Sequence, residues 1–486
     1  MTRRILPAVA MTLIFASQAW SATFVIQNND GAGEGFNDPS PPTNANQIGN
    51  NPGTTLGDLR MNVFQAAADV WGGILNSNVT ITVGGNFDEL FCSGNSATLG
   101  SAGATGSSAN FTGSEPNIAY AIALAESLNN SNMNGNSVEI SATFNSLLDS
   151  DPTCLGGGGF YYGLDDNAPL GTSALFPVVL HEIAHGLGFA SMADVGAGTG
   201  NFFGAGNYPD SFSRVLLDLD DGKSWDEMSN AERLASALNE PELVWEGAQV
   251  TADRGEYLGP APELAINAPA PIAGTFEVAS GQQSAAIPGG GVTAGIVDGN
   301  TLNDNFGIPA TGCTQVGFPD DLAFPGKIVL YDSRPGCSPA VAAFFAQVAG
   351  GAVGLIIADT SGNGLPDMSG LIGNPVNIPY IGVEKSVADD LRANLATANV
   401  SIQNSASRFL GENQGKVKMH APAIFEDGSS VSHWSTSASP NLLMEPVLRN
   451  LDFAEVDVTA AAFSDIGWSV NLPNATPPLI FKDSFE

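Results

Sequence analysis

Apolar residues recur every three to four positions at Leu59, Val63, Ala67, Val70 and Ile74, the spacing that lines one face of an α-helix. A strand follows over 79–83, where Val79, Ile81 and Val83 alternate with threonines. The succession repeats as a helix over about 118–128 and a strand over about 137–144. Leu175, Val178, Val179, Ile183 and Leu187 mark a third apolar helix face; Thr172 or Ser173 can cap that helix, Pro177 fits only within its first turn, and Gly186 and Gly188 stop it. Residues 210–251 are acidic and helical in character, and proline-rich sequence near 260–271 signals a boundary. From there to about 408 the texture changes to short strands with glycine turns: strands over 326–331, 351–357 and 378–383, and a helix over 340–348. The pattern predicts an α+β first region and a second α/β or α+β unit.

Composition narrows the setting. Residues 1–21 combine a basic start (Arg3, Arg4), an apolar run from Ile5 to Ala16, and a small-x-small site at Ala19-Trp20-Ser21, which together read as a secretory signal peptide. That run is too short to span a bilayer, and no later stretch approaches ~20 uninterrupted apolar residues, so a secreted protein without stable membrane insertion is expected. Lys+Arg 16 against Asp+Glu 50 gives a net charge of −34, which makes nucleic acid and anionic membranes poor partners. Four cysteines in an exported chain favour two disulfides over a metal cluster. Proximity pairs Cys92 with Cys154 and Cys313 with Cys337, although three connectivities are possible.

Chemistry concentrates at His181-Glu-Ile-Ala-His185, in a chain with 4 histidines. On a helix the i, i+4 spacing sets both imidazoles on one face, one turn apart, where they can ligate one zinc ion, with Glu182 beside it as a general base. A catalytic zinc needs a third protein ligand and an open position. The compact metzincin pattern places that ligand six residues after the second histidine, where this chain has Ser191; Gly188 keeps the pattern's glycine. His420 and His433 are the remaining histidines. Glu227, Glu232 or Glu242 from a downstream helix would complete a different kind of zinc site.

Two stretches carry resemblances. Residues 326–383, with Cys337 after the first strand and Ala-Gly-Gly-Ala-Val-Gly-Leu-Ile-Ile at 349–357, resemble the protease-associated domain, an accessory module without catalytic residues. Asp359 to Asp367 faintly echoes a calcium loop, but Gly370 stands where a bidentate Glu is needed, and a plain turn is the reading. Ser429-Ser-Val-Ser-His-Trp434, Leu443-Met-Glu-Pro446 and Asp465-Ile-Gly-Trp468, taken with 59–83 and 160–191, resemble the leishmanolysin family of metzincins, in which the third histidine follows a long insertion and precedes a Met-turn. The chain departs from that family in lacking an obvious cysteine-bearing prosegment.

That resemblance implies His181, His185 and His433 as ligands of Zn2+, Glu182 as general base and Met444 as the methionine beneath the metal. It implies a metzincin-like zinc protease catalytic domain (22–262 and 411–471) with the protease-associated region at 263–410 inserted, between a signal peptide (1–21) and a tail (472–486). The expected function is secreted zinc metalloendopeptidase, with protein or peptide substrates. The rival is a non-catalytic exported binding or adhesion protein that uses the protease-associated domain and carries a degenerate or structural zinc site.

Overall fold

The structure is a computed structural model that describes residues 21–42, 44–135, 137–301, 324–348, 350–447 and 456–471. The expected signal peptide, the C-terminal tail and the Cys313–Cys337 pairing lie outside the described residues. Two compact units emerge, Met1–Leu258 with Gly411–Glu486, and Gly259–Leu410. Among the described residues no helix is long and apolar enough to cross a membrane.

The first unit is built on a four-stranded sheet of β1 (Phe24–Asn28), β2 (Ile81–Asp88), β3 (Gly100–Ala104) and β4 (Ile140–Asn145), in the order β1-β2-β4-β3. β1, β2 and β4 run parallel, and β3 lies antiparallel to β4 at a free edge. Helix α1 (Leu56–Ile74) opens with a capping box in which Thr55 and Asp58 satisfy each other's backbone N–H groups. Its buried face carries Leu59, Val63, Ala67, Val70 and Ile74, and Trp71 donates its indole N–H to the Leu180 carbonyl at 3.0 Å. α2 (Ile122–Asn129) follows a short strand, and α3 (Leu175–Gly186) carries the two histidines spaced i, i+4. Glycines set how closely α3 approaches the sheet. A Cβ at Gly100 would lie 3.0 Å from Glu182 Cγ, and one at Gly186 would lie 2.2 Å from Ile140 Cγ2. The C-terminal segment folds back onto this unit: Asn76 and Ile74 pair with Ser469 and Asn471 through their backbones, and Asp465 accepts bonds from Trp245 Nε1, Gln249 N and Val250 N. The Cys92–Cys154 disulfide is present.

Several local expectations are corrected. Residues 119–121 pair with 107–109 as a strand before α2 begins. Neither Thr172 nor Ser173 caps α3, because Ser173–Ala174 pairs with Phe160–Tyr161 and the N-cap is Ala174. Within 210–251 only Asn230–Ser236 and the start of Ala248–Tyr257 are α-helical. Around the first of them the buried Leu216, Leu243, Val244 and Trp245 fall on a three-stranded antiparallel sheet, where burial overrides the acidic helical texture.

The second unit has one eight-stranded sheet of β5 (Pro260–Ala268), β6 (Gly274–Glu277), β7 (Ala279–Ser280), β8 (Val292–Asp298), β9 (Ile328–Asp332), β10 (Gly354–Ala358), β11 (Tyr380–Val383) and β12 (Asn399–Phe409), in the order β6-β5-β12-β8-β9-β10-β11-β7. β8 to β11 run parallel. Helices α4 (Pro339–Val348) and α5 (Lys385–Ala393) follow β9 and β11, and two buried apolar clusters fill the unit. The proline-rich run lies at the boundary between the units, which falls at Leu258/Gly259, and it opens a strand as well: Pro260 and Pro262 precede Glu263, where pairing with β6 begins, so on that side no ladder bond is lost to proline. β5 and β12 pair antiparallel, bringing the unit's two ends together, and Leu410 N–H donates to the Gly259 carbonyl at 2.8 Å. A unit whose ends meet can interrupt another without separating the halves it joins.

The close approach of α3 to β4 is testable. Gly186→Ala gains about 1 kcal/mol of helix propensity but forces a methyl into Ile140, and overpacking of a buried contact costs about 1–3 kcal/mol. Urea unfolding should show a net loss of stability, whereas a gain would mean that helix and strand are not packed in this way.

Candidate metal centre

α3 presents its histidines from a buried helix. Val178, Val179, Ile183 and Ala184 are at most 2% exposed, His181 is 6% exposed and Glu182 7%. The turn after α3 requires Gly188, whose φ of +112° lies in the left-handed region and whose Cβ would lie 3.3 Å from that of Ala121. That turn places the Phe189 carbonyl 2.8 Å from His185 Nδ1. His433 arrives from the C-terminal segment, its Nδ1 2.8 Å from the Ser429 carbonyl, while His181 Nδ1 lies 2.7 Å from the Leu443 carbonyl.

A carbonyl oxygen only accepts, so each of these contacts fixes the proton on Nδ1 and leaves Nε2 as a bare lone pair. The three Nε2 atoms face one another at 3.1, 3.2 and 3.2 Å. Two nitrogens sharing a tetrahedral zinc at ~2.0–2.1 Å stand about 3.3–3.4 Å apart, so the donor set fits such an ion. Among the described residues, His181, His185 and His433 are the group of three histidine, cysteine or acidic side chains placed to hold a metal. Burial pushes the imidazoles down, His181 to about 3, His185 to about 4 and His433 well below its ordinary value, which keeps all three in the neutral, ligating form. Burial also raises the Glu182 carboxyl to about 8, against a hydrogen bond from the Ala102 backbone N–H on β3.

The surroundings tie these groups together. Ser191 N–H donates to Ser432 Oγ at 3.2 Å, so the place where a compact motif would put its third histidine lies beside the neighbour of His433. Met444 is fully buried, and its carbonyl accepts from Trp434 N–H at 2.8 Å. Asp457 accepts the Leu443 N–H and the Thr459 hydroxyl, and Thr459 Oγ1 accepts the Trp434 indole N–H. Trp434 packs on Phe189 and Trp245 with ring centroids at 5.1 and 5.2 Å. Val431, two residues before the third histidine, holds φ +73°, a conformation that costs ~1–3 kcal/mol and persists only where the surroundings enforce it. It is fully buried, and its N–H donates to the His420 carbonyl at 2.7 Å.

The other candidate ligands lie elsewhere. His420 points away from the triad, with Nε2 3.0 Å from Glu426 Oε2 and Nδ1 4.0 Å from Glu240 Oε2, while its backbone N–H donates to the His433 carbonyl. Glu232 caps the helix 230–236 and pairs with Lys223, Glu242 accepts from Asn413, and Glu227 is exposed. The sequence reading did not find the three carbonyl partners, Asp457 or the Ala102 N–H. Backbone groups leave no residue signature, though Asp457-Val-Thr459 is a local side-chain capping pattern.

Two outcomes follow. In metal-free protein the depressed histidines make the unfolded state the stronger proton binder below about pH 6.5, so stability falls as pH falls through that range; the raised Glu182 makes the folded state the stronger binder below about pH 8, so stability falls as pH rises through 8. Thermal melts of the chelated protein should peak near pH 6.5, and a monotonic profile from pH 5 to 9 would contradict this assignment. His420→Ala removes the partner of the exposed Glu426, which water can replace, and should cost about 1 kcal/mol or less in urea unfolding while metal content stays unchanged.

Comparison with known proteins adds one assignment. Residues 288–391 match the PA domain, within the second unit. No curated protein matches the chain. Among solved structures the chain is similar to a zinc aminopeptidase from Bacillus subtilis (21% identity, 31% of each chain, TM-score 0.23). It is similar also to a peptidase M28 precursor from Shewanella amazonensis (19%, 30% of this chain and 34% of that one, TM-score 0.22) and to a subtilisin-like protease from an Antarctic Pseudoalteromonas (16%, 30% and 34%, TM-score 0.21). The chain spans about a third of the length of these structures, and likeness at these scores carries no argument about fold or chemistry. The chain therefore contains a PA domain, and its α+β first unit carries a histidine triad able to hold a metal.

Proposed function

We propose that the first unit is a metzincin-like catalytic domain resembling leishmanolysin, and that the protein is a secreted zinc metalloendopeptidase acting on protein or peptide substrates. One observation carries this reading: three neutral imidazoles, each fixed by a backbone carbonyl, aim bare Nε2 lone pairs at one point beside a buried glutamate. His181, His185 and His433 would hold Zn2+ through Nε2, with the buried Met444 as the methionine beneath the metal that the resemblance implies. When bound, zinc supplies a Lewis acid for the scissile carbonyl and the attacking water.

The chain's own residues do the rest. Glu182, one residue from a ligand and oriented by the Ala102 N–H, takes a proton from water as the water oxygen attacks the carbonyl carbon. It then returns that proton to the amide nitrogen as the C–N bond breaks. A dication next to the carboxylate lowers its pKa from the metal-free value near 8, back into the range where it can act as a base. The neighbouring edge strand β3 is built from Gly100, Ser101, Ala102, Gly103 and Ala104, and a Cβ at Gly103 would meet nothing within 4 Å. A free edge with such small side chains suits an extended internal segment of substrate added as a further strand, which supports cleavage within chains. Export rests on the signal-like residues 1–21, and the PA domain is the accessory module of the pair.

Purified protein should hold one zinc per chain and cut a long peptide blocked at both ends, with 1,10-phenanthroline abolishing cleavage and zinc restoring it. Absence of zinc-dependent cleavage would leave the rival binding-protein reading. Glu182→Gln should lower kcat by about 10²–10⁴-fold with zinc retained, whereas His433→Ala should lose both zinc and activity. Wild-type turnover in Glu182→Gln would remove its role as base.

A further inference from the structure

Away from the histidine triad, two acids of the first unit are buried near one another with no cation paired to either among the described residues. Glu126 on α2 and Glu139 just before β4 are each 1% exposed. No lysine or arginine occurs between Arg60 and Arg214, and neither glutamate takes part in an ion pair among the described residues. An uncompensated buried carboxylate is costly, and two together are costlier.

The hydrogen bonds around them show what is missing. Glu126 Oε1 accepts from Met133 N at 2.8 Å and Asn134 N at 3.1 Å. Glu139 Oε2 accepts from Thr82 N at 2.6 Å, and Glu139 Oε1 accepts from Asn134 Nδ2 at 2.9 Å. Asn134 thus bridges the two acids. Its amide orientation is fixed, because the flipped form would set Oδ1 against a carboxylate oxygen. Among the described residues, Glu126 Oε2 and Asn134 Oδ1 are buried oxygens with no donor. Glu126 and Asn134 are joined through the Asn134 backbone and Asn134 to Glu139 through its side chain, so two carboxylates and one amide are linked in one chain of hydrogen bonds in which two acceptors are unanswered.

We infer that Glu126, Asn134 and Glu139 form a calcium site in which Glu126 Oε2 and Asn134 Oδ1, with the Glu139 carboxylate linked to them through Asn134, take an oxygen-seeking divalent cation. The donor set is all oxygen, carries two negative charges and contains no nitrogen or sulfur ligand, which selects calcium over zinc. Burial and the neighbouring Glu139 both push the Glu126 carboxyl upward, as expected of a carboxylate waiting for a positive charge. The site would join the end of α2 to β2 through Thr82 and to the start of β4, and so brace the sheet under α3. It is a scaffold site, independent of peptide hydrolysis.

The test uses full-length protein stripped of metals and reloaded with zinc, so that calcium is the only variable. Titration with CaCl2 by calorimetry should show a site that Glu126→Gln abolishes, and millimolar CaCl2 should raise the wild-type melting temperature by several degrees while leaving that of Glu126→Gln unmoved. Without calcium, Glu126→Gln should melt at or above wild type, because the neutral amide relieves the buried charge. Asn134→Asp, which adds a carboxylate, should melt lower than wild type without calcium and gain more from it. A wild-type melting temperature indifferent to calcium would overturn the proposal in favour of a shared proton. A calcium response that persists in Glu126→Gln would place the ion elsewhere and overturn it equally.

Discussion

The first unit depends on one electrostatic constraint: three lone pairs are held within about hydrogen-bond distance of each other with no proton among them. Each imidazole spends its only N–H on a backbone carbonyl, of Leu443, Phe189 or Ser429, and is too buried to gain a second proton readily. Such an arrangement is repulsive unless a cation is shared. The fold therefore creates a demand for positive charge, and it does so with backbone geometry, which is harder to displace than side-chain partners.

Holding that geometry takes support from several directions. Gly188 bends the chain so that the Phe189 carbonyl returns to His185, and Phe189 then anchors the aromatic group that seats Trp434. Asp457 fixes the Leu443 peptide whose carbonyl orients His181, and the same acid reaches Trp434 through Thr459. Val431 pays in backbone strain for the approach of His433, and His420 holds the adjoining strand from the other side. Positional accuracy in the triad is thus spread over residues that never face the metal position.

How much of this is legible in the sequence follows from what each part is made of. The face of α1 and the apolar side of α3 are periodic, because burial against a sheet selects one helix stripe. The PA domain is recognisable from the order of its strands and glycines. By contrast, Leu243-Val-Trp245 and 119–121 adopt strand conformations that local texture does not distinguish from helix, since the deciding term is the neighbour they pack on. Pro260 and Pro262 mark the boundary between the units yet also sit in a strand, because the pairing on one side starts only at Glu263. At the site, histidine spacing announces a metal motif, whereas the position of His433 is reached only through resemblance, as no local pattern links residues so far apart. The partners of all three rings are carbonyls and leave no trace in residue identity. The acids at 126 and 139 are equally silent, because a buried glutamate and a solvated one are the same letter.

The order of the donors along the chain gives the site a history as well as a geometry. His181 and His185 are made first, the whole of the second unit is made next, and only then does His433 leave the ribosome. A nascent chain therefore carries two imidazoles and a glutamate before the third histidine exists. Under the proposed function, hydrolytic competence is the last property the chain acquires. The intervening unit, whatever else it does, acts as a delay line between the two halves of the site.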